Sequence, residues 1–511
     1  MKLHINRPSE ALPQTNDGAS PGCSTRGCLP AGQAPRSEGR CAGRLRNLGP
    51  RPLALGALAG RAASPRTLIH LQAVGARKQS RLLAVALSGL VALTLFSSGA
   101  VAKLTIEITG GVEGAQPIAV VPFGDLDGAR PSVDIASVIS ADLARSGRFK
   151  PMSRREMLVT PHRQEDIDFR EWQLLSMNNL VVGEVAPNPA GGYMVRYQLF
   201  DVFSGKKLLS NSVPSTEKGL RNAAHRIADA VYEQLTGEPG VFATRIAYVT
   251  SSGRGPKSRV TLRVSDADGF NPQTIVDSAD PIMAPAWSPD GRKLAYVSFE
   301  NRKSAIYLQD LASGRRERVA SYDGINGSPA FSPDGSKLAM TLSKGGNPDV
   351  YVLDLGTRQL TQLTDHYAID TEPAFSPDGS HLVFTSDRGG KPQIYRVSVA
   401  GGPAERVTFE GDYNAAASYA PDGRSLVMVT REGGSFRIVL TDARGGSRRY
   451  LSNGSLDESP GFAPNGSMVI YATQNNGRGV LAVKPIGGGA NQRLSQDSGE
   501  VREPAWSPLL R

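Results

Sequence analysis

The stretch Pro-Ala-Phe-Ser-Pro-Asp-Gly at residues 329–335 decides the fold, because it recurs along the chain at a nearly constant interval. It returns unchanged at 373–379, and with Trp in place of Phe at 285–291. Looser copies begin at Ser418 and Pro460, and a shortened copy begins at Pro504. The turn prolines lie at positions 289, 333, 377, 421, 464 and 508, spaced by 44, 44, 44, 43 and 44 residues. Such a period is typical of repeat architectures.

Each repeat has the pattern of one blade of a β-propeller. Proline presets the first corner of a turn, Asp-Gly or Asn-Gly supplies the residues that follow, and an alternating apolar strand comes next. Further strands and a glycine-bearing turn complete the repeat, which suits one four-stranded blade. The strands that follow the turns are predicted at 245–250, 293–298, 337–342, 381–386, 425–430 and 468–473.

The two ends of the repeat region complement each other. The strand at 245–250 has no Pro-Ala-Trp phrase before it, and the phrase at 504–508 has no strand after it. A closed ring leaves no open sheet edge, so we predict that the C-terminal strand completes the first blade; an open β-solenoid is the less favoured alternative. The predicted fold is an α/β N-terminal domain (103–240) followed by an all-β six-bladed β-propeller of WD40-like repeats (241–511).

Residues 103–240 lack the repeat and mix strands with helices. Apolar runs predict strands at 117–123, 180–185 and 193–203, and helical spacing predicts helices at 134–149 and 218–235. The segment at 103–109, Lys-Leu-Thr-Ile-Glu-Ile-Thr, alternates apolar and polar residues, and glycines follow it at 110, 111 and 114. We expect 103–114 to be mobile, and its strand to join either its own domain's sheet edge or another protein's sheet.

The net charge of the chain is concentrated in its first 102 residues. They hold 13 basic and 3 acidic residues, whereas the remainder holds 45 of each, so no nucleic-acid partner is indicated. Residues 1–76 are rich in Arg, Pro and Gly, and we expect a disordered leader that lies upstream of the true translation start. At 77–102, a basic start, an apolar run of 15 residues and a final Ala-Val-Ala predict a secretory signal peptide and a periplasmic mature protein. All three cysteines precede this signal.

The exported α/β domain followed by Pro-Ala-Trp/Phe-Ser-Pro-Asp-Gly repeats resembles the TolB family, the periplasmic component of the Tol–Pal system. Phrases such as Arg-Ile-Ala-Tyr-Val at 245–249 and the final Pro-Ala-Trp-Ser-Pro carry this resemblance, which covers 103–511. It implies a non-enzymatic hub that links inner-membrane TolA to the outer-membrane lipoprotein Pal, for outer-membrane integrity and constriction during cell division. It also implies contact with membranes only through partners, which would include other outer-membrane or peptidoglycan-associated proteins and colicin-like bacteriocins, and no cofactor.

The resemblance implies two partner sites. TolA would bind the N-terminal segment, through Lys103, Leu104, Thr105, Ile106, Glu107 and Ile108. Pal would bind the mouth of the propeller channel, through Asn326, Gly327, Thr371 and Glu372. The loops at 323–328, 365–372 and 497–503 should share that face with those at 300–303, 343–347, 387–391 and 431–435. The family commonly has His where this chain has Ile325, so the chain departs from the pattern there.

Enzymatic functions find little support in these residues. A propeller-containing periplasmic hydrolase of the peptidase type is the alternative function, but the one Gly-x-Ser-x-Gly, at 18–22, lies in the leader with no strand before it. A lyase or glycosidase would use carboxylates at the channel, yet Asp and Glu occur throughout the turns. The six histidines are scattered, so no catalytic metal is expected, and a structural calcium ion in the channel stays an open alternative.

Overall fold

The computed structural model of the chain describes residues 114–253, 258–494 and 499–510. A mixed α/β domain is followed by a ring of six four-stranded sheets, and the two belong to one compact unit. The predicted leader, signal peptide and segment 103–113 lie outside the described residues. Within the described ranges, no helix has the length and apolar character needed to cross a membrane.

One mixed sheet forms the centre of the α/β domain. Its strands are β1 (Gln116–Val120), β2 (Gly124–Asp125), β3 (Phe149–Pro151), β4 (Asn179–Pro187), β5 (Tyr193–Asp201) and β6 (Lys207–Ser215). They are ordered β3-β1-β4-β5-β6, and β2 pairs with β4. β1 runs parallel to β3 and β4, whereas β4, β5 and β6 form an antiparallel meander.

Three helices cover this sheet: α1 (Ile135–Arg145), α2 (Phe169–Leu174) and α3 (Leu220–Thr236). α1 and α3 pack on one face, against side chains such as Val181 and Val195, and α2 packs on the other with Leu180 and Val182. Successive residues of a strand point to opposite faces, so an almost continuous apolar run in β4 serves both layers.

The predicted elements of this domain are present, but several of their ends were wrong. Asp134 caps α1 by accepting a hydrogen bond from the Ser137 amide, as predicted for a helix start at that point. The helix ends at Arg145 rather than at 149, because the chain turns at Gly147, where φ is +70°, and Phe149 begins β3. Likewise β1 stops at Val120 and β5 stops at Asp201, short of the predicted 123 and 203.

The propeller is made of β7 to β30. Blade 1 contains β30 (Glu500–Trp506), β7 (Arg245–Ser252), β8 (Arg259–Asp266) and β9 (Gln273–Ser278); blade 2 contains β10 (Ile282–Trp287), β11 (Lys293–Ser298), β12 (Ala305–Asp310) and β13 (Arg316–Ala320); blade 3 contains β14 (Asn326–Phe331), β15 (Lys337–Leu342), β16 (Asp349–Asp354) and β17 (Leu360–Gln362). Blade 4 contains β18 (Asp370–Phe375), β19 (His381–Ser386), β20 (Gln393–Ser398) and β21 (Glu405–Arg406); blade 5 contains β22 (Asn414–Tyr419), β23 (Ser425–Glu432), β24 (Ser435–Asp442) and β25 (Arg448–Tyr450); blade 6 contains β26 (Glu458–Phe462), β27 (Met468–Asn475), β28 (Arg478–Pro485) and β29 (Gln492–Leu494).

The predicted closure of the ring is confirmed. β30 pairs antiparallel with β7, with Glu500 opposite Ser251 and Trp506 opposite Ile246. The indole nitrogen of Trp506 donates a hydrogen bond to Thr244 Oγ1, at 2.8 Å. The last described strand therefore supplies the innermost strand of the first blade.

The repeated Ser-Pro-Asp-Gly phrase builds the turn between the first two strands of a blade. In blade 3 the Ser332 hydroxyl contacts Asp334 Oδ1 at 2.6 Å and accepts a hydrogen bond from the Lys337 amide at 2.9 Å. Gly335 has a φ of +73°, a conformation that glycine adopts without steric cost. Blades 2 and 4 repeat the Ser–Asp contact, whereas Ala420 and Ala463 stand at the serine position in blades 5 and 6.

The α/β domain meets the propeller beside blades 1 and 6, where their buried side chains join a single core. The linker between α3 and β7, residues 237–244, packs closely against α3. The Asp229 carboxylate accepts hydrogen bonds from the amides of Phe242 (2.6 Å) and Ala243 (3.1 Å). At Gly240, an added Cβ would lie 2.4 Å from the Asp229 Cα, so only glycine fits this approach.

Candidate partner-binding site

The loops predicted to share one face lie at one end of the propeller, as far as the structure describes them (residues 497 and 498 lie outside the described ranges). The register of blade 3 places Asn326 opposite Leu342, and that of blade 4 places Asp370 opposite Ser386. The start of each innermost strand is therefore beside the end of the next strand, and the loops that flank them meet at the channel mouth. The Ile325 amide, for example, donates a hydrogen bond to Ser343 Oγ, at 2.7 Å.

Every innermost strand carries the same irregularity at this mouth. The register of each shifts at a β-bulge, for example between Thr371 and Ala374 in blade 4. One non-glycine residue of each bulge has a φ between +47° and +56°: Ala284, Ser328, Glu372, Ala416, Ser459 and Glu503. Bulges re-aim side chains and mark functional rims, and here they recur at one position of all six repeats. We call these residues the bulge ring.

Two members of the bulge ring are carboxylates that join neighbouring blades. Glu372 of blade 4 accepts a hydrogen bond from the Ala416 amide of blade 5, at 2.8 Å, and another from the Thr385 hydroxyl. Glu503 of blade 1 accepts from the Ala284 amide of blade 2. Burial raises the pKa of Glu503 to about 6, and the negative charge of Glu458 adds to this effect. Both side chains face a shared space, so a partner that enters it meets fixed acidic groups.

The predicted Pal contacts fall around one cavity. Gly327, Thr371, Glu372 and Asn326 all line a space of about 540 Å³ that residues of all six blades enclose. Asn326 is 1% exposed, and its amide is engaged inside its own loop, where it donates to the Tyr322 carbonyl and accepts from the Tyr322 amide. The structure therefore gives Asn326 a loop-shaping role, whereas the other three offer surface to the cavity.

Large exposed apolar side chains occur at this end of the propeller, where one of them, Ile325, lines the cavity; sequence reasoning missed the others. They lie in the loops that precede the innermost strands of four blades: Tyr322, Ile325, Tyr367, Ile369, Phe409 and Leu456. Tyr367 is 86% exposed. Exposed aromatic and aliphatic groups that cluster around a concave site mark an interaction surface. We call this set the apolar rim; its signal in the sequence was one or two apolar or aromatic residues one to five positions before each of these strands.

The loop of blade 4 that bears the rim is held in place by hydrogen bonds. Asn347 Nδ2 donates to the carbonyls of His366 and Ala368, and the Ile369 amide donates to Asp387 Oδ1 at 2.8 Å. Asp370, fully buried, pairs with Arg388 at 2.7 Å. Such a preformed rim reduces the entropy that a partner must remove on binding.

The second predicted site, Lys103, Leu104, Thr105, Ile106, Glu107 and Ile108, lies outside the described residues, as does the Gly-x-Ser-x-Gly at 18–22. Among the described residues, a serine and a histidine meet at Ser380 and His381, 2.7 Å apart. There the carboxylate of Asp378 accepts from the serine rather than orienting the imidazole, which is the geometry of a capped turn and not of a catalytic triad.

Comparison with known proteins agrees with this two-part architecture. A family model described as the TolB beta propeller domain matches residues 232–510, and one described as the TolB amino-terminal domain matches residues 104–208. The crystal structure of TolB from Acinetobacter baumannii superposes with a TM-score of 0.74 at 42% identity, over 80% of this chain and 100% of that one.

Curated relatives carry the same description. The Tol-Pal system protein TolB of Thioalkalivibrio sulfidiphilus (strain HL-EbGR7) is 50% identical over 238 residues, which are 46% of this chain and 55% of that protein. Its counterpart in Xanthomonas campestris pv. campestris (strain B100) is 50% identical over 226 residues, 44% of this chain and 52% of that protein. The chain thus spans about half the length of the curated relatives it matches.

Proposed function

Because this chain belongs to the TolB family of Tol-Pal system proteins, we propose that it is a non-catalytic hub of the periplasm. In this proposal it binds the lipoprotein Pal at the channel mouth and TolA through its N-terminal segment. It thereby links the outer membrane to the inner-membrane complex, and supports envelope integrity and constriction during division. Colicin-like bacteriocins would use the same mouth, and other outer-membrane or peptidoglycan-associated proteins would be further partners. Nucleic acids and cofactors have no part in it.

The observation that carries the proposal is the apolar rim around an acidic cavity. A partner segment that entered the channel would bury apolar side chains against Tyr367 and Phe409 and place polar or basic groups near Glu372 and Glu503. Protein interfaces combine such an apolar, aromatic core with a few fixed polar groups. Three residues chosen from the family resemblance, Gly327, Thr371 and Glu372, border the same cavity.

The TolA half of the proposal rests on the residue pattern at Lys103–Ile108 alone. Alternation of Leu104, Ile106 and Ile108 with polar residues suits a strand that adds itself to the edge of a partner's sheet. Deletion of 103–109 should abolish TolA binding and leave Pal binding unchanged. Retention of TolA binding after the deletion would show that the segment is not the contact.

Calorimetric titration with the soluble domain of Pal tests the mouth. Tyr367→Ser should weaken binding about tenfold or more, because an exposed tyrosine at the centre of an interface contributes well over 1 kcal/mol. Glu372→Lys should weaken it as well, by reversing a charge in the cavity. Tyr367 is mostly exposed, so its loss leaves the free protein's packing intact.

Two variants serve as matched controls. Leu174→Ser removes an apolar side chain that is also 86% exposed, but on the α/β domain. Glu405→Lys makes the same charge change as Glu372→Lys in the same blade, on its outermost strand, where it breaks only an exposed pair with Arg396. Both should bind Pal as the wild type does. If the controls weaken binding as much as the mouth variants, or if neither mouth variant weakens it, the proposed site is wrong.

A further inference from the structure

Three ionisable side chains meet, fully buried, where the α/β domain touches the propeller. Asp142 comes from α1, His225 from α3 and Asp268 from the turn between β8 and β9. Each is at most 3% exposed. His225 Nδ1 lies 2.6 Å from an oxygen of Asp142, and its Nε2 lies 3.7 Å from an oxygen of Asp268. One imidazole thus stands between a carboxylate of each domain. We call these three residues the seam cluster.

The seam cluster is enclosed by further charges from every element around it. On α1, Arg145 pairs with Asp142 at 2.6 Å. On α3, Arg221 pairs with Asp268, and the charge of Asp229 also acts on this site. On the propeller side, Asp266 feels both His225 and Arg245. Because two guanidinium groups already neutralise the two carboxylates, a metal cation would have to enter next to two positive charges. The geometry therefore favours a proton on the imidazole over a metal ion.

The surroundings of the two ring nitrogens favour a charged imidazole: Nδ1 is at hydrogen-bond distance from Asp142, and Nε2, which makes no hydrogen bond, lies at ion-pair distance from Asp268. An ionised carboxylate only accepts hydrogen bonds, and neutral histidine can donate from one nitrogen only. Burial alone lowers the pKa of His225, but the charge and hydrogen bond of Asp142, together with the charge of Asp268, outweigh burial and hold this pKa above its usual value. Removal of the proton would take away the positive charge that lies between Asp142 and Asp268.

We propose that protonated His225 acts as a clamp between the two domains, and that the seam loosens when the imidazole loses its proton. The folded chain holds this proton more tightly than the unfolded chain does. The stabilisation is therefore complete below the unfolded pKa, near 6.5, and is lost as the pH rises through the higher folded pKa. The clamp makes the α/β domain's attachment to the propeller sensitive to a rise in pH above the usual histidine pKa of 6.5.

Hydrogen exchange of the full chain, followed by mass spectrometry between pH 7 and pH 9, tests the clamp. This range lies above the pKa of about 6 to which burial raises the carboxyls of Asp229 and Glu503, so these groups are mostly ionised at pH 7 and their ionisation changes little above it. After correction for the intrinsic exchange rate, protection of peptides covering 140–147 and 266–271 should fall as the pH rises. In His225→Gln it should be low already at pH 7 and independent of pH.

His381→Gln provides the matched control, because it removes a partly exposed histidine of the propeller turn and should keep the wild-type pH dependence. Constant protection of the two peptides in the wild type, or a persisting decline in His225→Gln, would overturn the proposal. So would a loss of protection when EDTA is added at pH 7, since that result would assign the cluster to a bound metal.

A second measurement follows the imidazole in the wild-type chain itself. In the NMR spectrum of the histidine Cε1–H groups, the signal of His225, the fully buried histidine among the described residues, is the one that His225→Gln removes and that a soluble paramagnetic agent should leave sharp. The pH midpoint of its titration should lie above the midpoints of the exposed histidines. Asp268→Asn should lower this midpoint, because it removes one of the two carboxylates. A buried imidazole that titrates below the exposed ones would refute a protonated clamp at neutral pH.

Discussion

The contacts that stabilise the propeller differ in kind from those that attach the α/β domain to it. The propeller repeats its contacts: Ser–Asp turns recur in blades 2, 3 and 4, and the bulge occurs in all six blades. The contacts of the α/β domain with its surroundings occur once each, at Asp229, Gly240 and the seam cluster. Loss of one repeated contact leaves its copies in place, whereas loss of a unique contact has no substitute. The cost of a substitution should therefore depend on how often its contact recurs.

The largest loss of stability is expected at Trp506, a residue of the repeat that also makes the unique contact closing the ring. Trp506 and Trp287 occupy the same position of the repeat and are both 8% exposed. Trp506→Ala should lower the free energy of unfolding by about 3–5 kcal/mol, the usual cost of deleting a buried tryptophan. Trp287→Ala should cost less: its indole also donates a hydrogen bond, to the Ala505 carbonyl at 3.0 Å, but only Trp506 lies on the strand that closes the ring. Urea denaturation of both variants checks this order, and equal losses would mean that closure adds nothing.

An intermediate effect is expected at Asp229, whose two hydrogen bonds to the linker have no copy. Asp229→Ala leaves the amides of Phe242 and Ala243 without their partner, which should cost about 1–3 kcal/mol at pH 7. Burial raises the pKa of Asp229 to about 6, against roughly 4 in an unfolded chain. Its contribution to stability is thus greatest below pH 4 and declines as the pH rises to about 6.

Thermal unfolding of Asp229→Ala between pH 4 and pH 7 should show a shallower decline than the wild type does. Glu405→Ala, an exposed carboxylate of blade 4, is the control and should follow the wild-type curve. An unchanged slope in Asp229→Ala would mean that another group, such as Glu503, accounts for the whole dependence.

The smallest effect is expected at a repeated contact. Ser332→Ala should cost about 1 kcal/mol, the typical net worth of one hydrogen bond. The reverse change, Ala420→Ser, recreates the Ser–Asp pair with Asp422 in blade 5 and should recover a similar amount. Chemical denaturation of the two single variants and of the double variant tests whether the effects add. If Ser332→Ala lowered the free energy of unfolding as much as Trp506→Ala does, the cost of a substitution would not depend on how often its contact recurs.

The contribution of these turns to stability should also depend on pH in the acid range. The hydroxyl of Ser332, with the amide and hydroxyl of Ser336, lowers the pKa of Asp334 to about 2. Its contribution is present above the unfolded value near 4 and is lost as the pH falls through 2. The difference between the wild type and Ser332→Ala should therefore shrink in acid.

The same contrast explains what the sequence could predict. The six strands after the turns, their order and the closure by β30 were predictable, because a period of 44 residues exposes the same physical pattern repeatedly. The bulge ring was visible in principle, since each member directly precedes the Pro-Ala, Pro-Gly or Ala-Ser pair of its repeat. Asp142, His225 and Asp268 form no motif, and only the folded chain brings them together from three elements. Asn326 was predicted as a partner contact by resemblance, but its buried side chain forms hydrogen bonds within its own loop.

The pairing of β30 with β7 means that the first blade can be completed only after the rest of the propeller has been synthesised. The two residues that latch the ring, Thr244 and Trp506, are 262 positions apart. During synthesis at about 5–20 residues per second, blade 1 waits roughly 10–50 s for its innermost strand. Throughout that interval, the free edge of β7 can pair with any other strand in reach. Rapid elongation or a chaperone that shields this edge would therefore raise the yield of closed rings without changing the stability of the finished protein.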